Sequence, residues 1–464
     1  MKRAAIVMSL LVVGCRELDV TPPSPTVVAP SSFDETSSIG APSASPDLAH
    51  WWTVWRDPLL DRLIDEALAG NPDLRIAKAR VEEARALVTV AESTLYPTLG
   101  ADAGLWEADV KWRNPVVDFI PGKARRVDAH IGGLAASWEP DIFGGRSYDA
   151  EAARANAAGV EEQSNGARMI VVSEAAQNYQ DAKGLQRRLL VLDHSVETLG
   201  KLLRYVEARY QAGQALAFDV TLVRERLETQ RSKRPDLLSA LETRQRRLAV
   251  LTGRPPEPPI PLPAPGPFFI PLPPRGQLPS EVLERRPDVR ARIDAVRARV
   301  ASLTSAKTDL LPRFQIEFLG QDGRLHFQGI PGLQGTGGLV GLTAHLPIFT
   351  AGRIEANIAA NDARLEAAVA DYDKSVLQAL EDVENAYGRR RGLDRRSEHL
   401  GDALVGARRN HQISRGLYEG GRKTFGDVLN AELDVFEREN DLLETQMAQS
   451  AMTIQLYRSL GGGW

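Results

Sequence analysis

The sequence predicts a mainly α-helical chain, internally duplicated, carrying four strands suited to a transmembrane β-barrel. Three observations lead there. In the last quarter, Ile354, Ile358, Leu365, Val369, Tyr372, Val376, Leu380, Val383 and Tyr387 recur at steps of three, four or seven, and no proline interrupts Arg353 to Gly416. This is the stripe of one amphipathic helix. At 1.5 Å per residue it is about 100 Å long, more than one globular core can bury, so it needs neighbours of its own kind. Other segments alternate with a period of two. Finally, landmarks of the first half return in the second.

Residues 1–14 read as an export signal: Lys2 and Arg3 precede the apolar run Ala4 to Val13, which is too short to span a bilayer. Leu11-Val12-Val13-Gly14-Cys15 resembles a bacterial lipobox, in which Cys15 becomes the acylated N-terminus after cleavage. As the sole cysteine it has no disulfide partner. The bland alternative is an ordinary export signal with an incidental cysteine. Residues 15–50, rich in Pro, Ser and Thr, read as an extended tether.

Residues 51–251 form the first repeat. Trp51, Trp52 and Trp55 announce folded structure, Asp57-Pro58 opens a short helix, and Asn71-Pro72-Asp73 opens a longer one that ends before Tyr96-Pro97. Leu99, Ala101, Ala103 and Leu105 then alternate with Gly100, Asp102 and Gly104. Val127 to Ser137 alternates again, with Asp128 and His130 opposite Ala129 and Ile131. Such strands fit a half-buried sheet or a membrane barrel. Between them lies the loop Asn114–Lys123. Ser147 to Tyr210 predicts a long helix stopped by Ala212-Gly213, and Asp219 opens a return helix to Leu251 that Pro235 should kink. Residues 252–279 are a proline-rich connector, packed through Phe268, Phe269 and Ile270.

Residues 280–464 repeat the plan. Arg286-Pro287-Asp288-Val289-Arg290 echoes Asn71-Pro72-Asp73-Leu74-Arg75, and Pro312 follows Pro97 at the same offset, 312 − 97 = 287 − 72 = 215. Phe314, Ile316 and Phe318 alternate with Gln315 and Glu317. A glycine-rich loop, Gly335-Thr336-Gly337-Gly338, is expected before a fourth strand with Val340, Leu342, Ala344 and Leu346 on one face. Tyr418-x-x-Gly421 matches Tyr210-x-x-Gly213, and Asp427-Val428 matches Asp219-Val220. Four strands cannot close a barrel and an open edge cannot sit in lipid. Three chains would give twelve strands, and the same assembly would let the helix hairpins bury their stripes in a tube.

Taken together, the Cys15 lipobox, Trp51-Trp52 with Asp57-Pro58, Trp138-Glu139-x-Asp141-Ile142-Phe143-Gly144, Leu278-Pro279, Arg285-Arg286-Pro287-Asp288-Val289-Arg290 and Leu460-Gly461-Gly462-Gly463-Trp464 resemble the TolC-like outer-membrane factor family, and within it the NodT-type efflux lipoproteins. The resemblance implies a homotrimer. Its twelve-stranded outer-membrane barrel, four strands per chain, would continue into a long periplasmic α-helical barrel that docks with a periplasmic adaptor and an inner-membrane RND-type transporter. It implies the passive exit duct of an efflux pump for small toxic compounds or drugs, located in the outer membrane and anchored by lipid. It also implies a periplasmic gate at the helix tips: Asp427 matches an acidic ring, Asn430 departs from a second one, and Lys423 and Asp219 occupy the positions of a polar link between hairpins.

The residues themselves point to no catalyst. The seven histidines are scattered, no HExxH occurs, and a lone cysteine makes no zinc site. The run at Gly335 lacks the Lys-Ser/Thr of a phosphate loop. With 57 Lys+Arg against 61 Asp+Glu there is no basic footprint for nucleic acid. No cofactor beyond a covalent lipid on Cys15 is expected, and no metal. Asp102, Asp128 and Glu317 are expected to face a water-filled lumen, with Leu99, Ala101, Leu105, Ile131, Phe314, Ile316, Val340 and Leu342 facing lipid. Other readings stand beside the drug duct: a duct for type I protein secretion or for metal ions, or a periplasmic coiled-coil lipoprotein without a pore. The alternating strands speak against the last, because a spacer has no use for them.

Overall fold

The structure, a computed structural model, describes residues 20, 27, 29–33, 47–109, 126–274, 277–327 and 330–464. The export signal, Cys15, most of the tether and the segment Asn114–Lys123 lie outside the described residues. The first half runs through a 3-10 turn Trp51–Trp55, α1 (Pro58–Gly70), α2 (Pro72–Ser93), β1 (Thr98–Asp109), β2 (Arg126–Trp138), α3 (Gly145–Gln211), α4 (Ala217–Ser232) and α5 (Arg234–Leu251). The second runs through α6 (Pro279–Arg285), α7 (Pro287–Thr308), β3 (Arg313–Phe327), β4 (Ile330–His345), α8 (Arg353–Glu419) and α9 (Phe425–Ser459). The order helix, strand, strand, long helix, return helix occurs twice, and α3 and α8 have 67 residues each. The return helix of the first half is split at Lys233. Pro235 sits in the first turn of α5, where its missing N–H is not needed, so the proline starts a new helix rather than bending one.

The chain divides into two compact units. The first holds residues 81–160 and 292–372, and its centre is one antiparallel sheet in the order β1-β2-β3-β4. The Trp-Glu-Pro-Asp-Ile-Phe-Gly motif turns β2 into α3. Asp141 accepts from the backbone N–H of Arg146 at 3.0 Å and of Ser147 at 2.8 Å, and the left-handed Gly144 (φ 79°) lets its carbonyl accept from Tyr148 N–H. Gly352 (φ 81°) stands at the equivalent turn before α8. The glycine-rich run expected as a loop is instead part of β4. Gly335, Thr336, Gly337 and Gly338 pair with Gly323, Asp322, Gln321 and Gly320. Their low strand propensity is overridden by the ladder of β3, which itself places glycines opposite both ends of the run.

The second unit holds residues 26–80, 161–291 and 373–464. Its core gathers Trp51, Trp52, Trp55, Leu60, Ile64, Val172, Leu248 and Leu456, all buried, with Trp51 stacked on Tyr457 at 5.3 Å. Asp57 caps α1 through Leu59 N–H, while its other oxygen accepts from the Tyr179 hydroxyl at 2.8 Å and Lys183 Nζ at 2.7 Å. Asn71 caps α2 and donates to the Leu251 carbonyl at 2.9 Å, tying the helix start to the end of α5. The buried Arg286 does comparable work in the second half, reaching Asp288, Asp382 and the Ser459 carbonyl. The proline connector is pinned from α8: Tyr387 donates to Pro274 O at 2.9 Å and Arg390 to Pro271 O at 3.2 Å.

Candidate functional site

Two places in this fold can carry a conduit's work, the faces of the sheet and the tips of the hairpins. In an antiparallel ladder, directly opposed residues point to the same side. Asp102 opposes Gly133, Gly133 opposes Gln321, and Ser137 opposes Glu317. Asp102, Ile131, Gln321 and Glu317 therefore share one face, and this face bears a concavity of about 510 Å³ lined by Ile131, Leu319, Leu325, Leu333 and Leu339. Leu99, Ala101, Leu134, Phe318, Val340 and Leu342 lie on the other face, where Leu99, Val340 and Leu342 are highly exposed.

Two of the sequence expectations fail here. Asp128 opposes Glu107, so it shares the face of Leu99 and Leu105 instead of the face of Asp102. Ile131 opposes Gly104 and belongs with Asp102. The physical reason is register. Thr98 pairs with Ser137, so an odd-numbered β1 residue opposes an even-numbered β2 residue, and alternation within each strand cannot reveal that. Asp128 sits at the hairpin end of its face among Glu107, Arg126 and His326, with Arg126 ion-paired to Glu107. A basic residue on a lipid-facing position costs roughly 2–4 kcal/mol at the bilayer midplane and little at the interface. A charged cluster at the strand ends beside an apolar band is what that gradient allows.

At the first tip, α3 ends with the left-handed Gly213, whose N–H donates to Tyr210 O at 2.9 Å, and Gln214 N–H donates to Arg209 O at 2.8 Å. At the second, Gly421 N–H donates to Tyr418 O at 2.9 Å and Arg422 N–H to Leu417 O at 2.8 Å. The two turns are the same helix-ending motif, 421 − 213 = 208 residues apart. Asp219 then accepts from Leu216 N–H at 3.0 Å, and Asp427 from Thr424 N–H at 2.9 Å and the Thr424 hydroxyl at 2.7 Å. These bonds to Thr424 hold the Asp427 carboxyl below its ordinary range.

Within one chain the structure does not bring Lys423 to Asp219. Lys423 Nζ donates to Ser414 Oγ at 3.2 Å, Asp219 serves its own first turn, and no Lys423–Asp219 ion pair exists among the described residues. Asn430 is exposed on α9, one turn from Asp427. The link between the hairpins of one chain is made by Tyr418, which the repeat marked only as a landmark, with Tyr205, Arg209 and Phe425, which sequence reasoning passed over. Arg209 on α3 donates to the hydroxyl of Tyr418 on α8, the Tyr205 hydroxyl lies 3.4 Å from that of Tyr418, and the Phe425 ring packs on both tyrosines at 6.0 and 5.8 Å. Below them Leu199, Val206, Val223, Leu227 and Leu429 form a buried cluster. The tyrosine of the Tyr-x-x-Gly repeat was a visible landmark; nothing local marked Arg209.

Among the described residues no group of three or more His, Cys, Asp or Glu could hold a metal ion, and no helix is long and apolar enough to cross a membrane. A strand face with an apolar band, an opposite face that bears Asp102 and Glu317 beside an apolar concavity, and capped helix tips suit the passage of solutes. The family model of outer membrane efflux proteins matches residues 63–254 and 278–462. The chain belongs to this outer membrane efflux protein family. It is similar to the pyoverdine export outer membrane protein OpmQ of Pseudomonas putida, 29% identical over 98% of this chain and 96% of the relative. It is also similar to the probable outer membrane lipoprotein SilC of Salmonella typhimurium, 26% identical over 100% of this chain and 99% of the relative. Among solved structures it resembles the outer-membrane channel OprN, with a TM-score of 0.82, 27% identity, and coverage of 96% of this chain and 99% of that one. Family membership places the protein in the outer membrane as an efflux channel.

Proposed function

We propose that three copies of this chain pool their sheets into a twelve-stranded barrel and their hairpins into a hollow helical barrel. Together they would form the exit duct of a tripartite pump, completed by a periplasmic adaptor and an inner-membrane RND-type transporter. The observation that carries this reading is the sheet itself. Its four strands leave β1 and β4 as edges with free N–H and C=O groups, next to an exposed apolar band on one face. Such an edge is tolerated in lipid only when another strand pairs with it. Exposed apolar side chains on the helices, Leu87 and Val90 of α2 and Leu377, Val405 and Ile413 of α8, support the same assembly. In that assembly the concave face with Asp102 and Glu317 lines the lumen, and the tips carrying Asp219, Lys423, Asp427 and Asn430 converge as rings of three at the periplasmic end.

The cargo class is small organic molecules, which would pass through the duct without being driven by this chain. A relative named for pyoverdine export, alike over nearly the whole chain, supports that class. Cys15 carries the lipid anchor, a reading supported by the relative named as a lipoprotein; Cys15→Ser should remove diacylglyceryl from the mature N-terminus by mass spectrometry. Native mass spectrometry of the full chain extracted in mild detergent tests the assembly. A mass of three chains is expected, and a stable monomer that retains its sheet would overturn the reading.

A further inference from the structure

The two faces of the sheet exchange character along the strands. Near the helices the convex face is apolar (Leu99, Phe318, Val340, Leu342) and the concave face polar (Thr98, Ser137, Gln315, Glu317). Toward the hairpin ends the order inverts. One complete row of the concave face, running across all four strands, is Trp106, Ala129, Leu325 and Leu333, with no polar side chain in it. At that level the flanking convex rows hold Leu105, His130, Arg324 and Gln334 on one side and Glu107, Asp128 and His326 on the other. The charged convex rows put this level in water, beyond the hydrocarbon, because lipid-facing charge is selected against at depth. An apolar lumenal row outside the membrane therefore serves neither lipid contact nor a core. Trp106, Leu333 and Leu339 are all more than half exposed.

We infer that this row is an apolar collar at the external mouth of the duct and a transient binding site for uncharged aromatic or aliphatic cargo. The inference rests on the duct reading above, since it takes the concave face as lumen. The row borders a concavity of about 510 Å³, of a size that suits a small molecule, which Leu325 and Leu333 line together with Ile131, Leu319, Leu339 and the polar Gln321. Its floor is Gly323, Gly335 and Gly337, and at Gly335 and Gly337 no atom lies within 4 Å of where a Cβ would stand, so a flat ring can lie on the backbone. The Trp106 indole lies over Gly104, where any Cβ would collide with it, so the ring keeps its place against the strand while its other face stays open. With no charge in the row, the collar discriminates by apolar area alone. Weak, area-based binding suits an exit, because cargo has to leave again.

The test is block of single-channel current by N-phenyl-1-naphthylamine, an uncharged aromatic amine, using full-length protein in planar bilayers. Wild type and Trp106→Phe should be blocked alike. Trp106→Gln/Leu325→Gln/Leu333→Gln should conduct but need about ten-fold more dye or more, the factor carried by losing the burial of one leucine-sized side chain. If the triple variant yields no pores, Leu333→Gln alone carries the comparison with the same direction expected. Equal block of wild type and glutamine variants, with normal conductance, would overturn the collar and leave the duct standing. Absence of current from wild type and tip variants alike would instead remove the duct reading and the collar with it.

Discussion

Asp57 shows how one side chain can close several contacts. Burial alone pushes its carboxyl up, yet the hydrogen bonds from Lys183 and Tyr179, with the Lys183 charge, outweigh burial and hold it below the ordinary carboxylate range. Its partner Tyr179 is pushed up by burial and by the facing carboxylate. A depressed folded-state value stabilises the fold above the unfolded value, near pH 4, and that stabilisation is lost as pH falls through the folded value. Asp57→Asn should therefore lower the melting temperature at neutral pH by the equivalent of about 1.5–3 kcal/mol, the usual worth of hydrogen bonds to a charged group. The gap between variant and wild type should shrink on acidification. A gap that widened toward pH 3 would contradict the assignment. The Asp57-Pro58 pair was legible as a helix start, since an acceptor before an N-terminal proline is a local signal. Its bonds to Tyr179 and Lys183 span more than 120 residues and left no trace in the sequence.

At the scale of elements, the long helices were readable because stripe and absence of proline are local properties; α8 buries Ile354, Leu365, Val376, Val383 and Tyr387 of its expected stripe. The strands were readable as strands, but their faces were not, because register depends on a hairpin whose pairing the alternation does not encode. The corrected register makes a sharp expectation. In a Cys15→Ser background, Asp102→Cys should react with a water-soluble thiol reagent supplied through the lumen, and a bulky lumen-plugging cargo should protect it. Asp128→Cys should react from outside whether or not the lumen is filled. Equal protection of both would return Asp128 to the face of Asp102.

The tips allow a similar separation. If the Arg209–Tyr418 contact holds the two hairpins of one chain together, Arg209→Leu with Tyr418→Phe should raise single-channel conductance while the trimer persists. Lys423→Ala with Asp219→Ala tests the link between neighbouring chains, for which each exposed pair contributes only about 0–1 kcal/mol but acts in three copies. Asp427→Ala should weaken block by divalent cations. Wild-type conductance and block in all three variants would leave Asp219 and Asp427 as the caps that their hydrogen bonds within the chain already describe, and would take any gating role from Arg209, Tyr418 and Lys423.

For the molecule as a whole, the duplication explains why one chain carries two hairpins and two strand pairs, and the open sheet edges explain why one chain is not enough. Both were readable because they follow from counting: four strands, two hairpins and no closed solution for either. The central claim is that several copies close a water-filled passage across the outer membrane. It is tested most directly by recording current through purified full-length protein in planar lipid bilayers. Discrete, long-lived conductance steps of uniform size are expected, enlarged by the tip variants. A protein that inserts as a trimer yet passes no ions in either wild-type or tip-variant form would contradict the account.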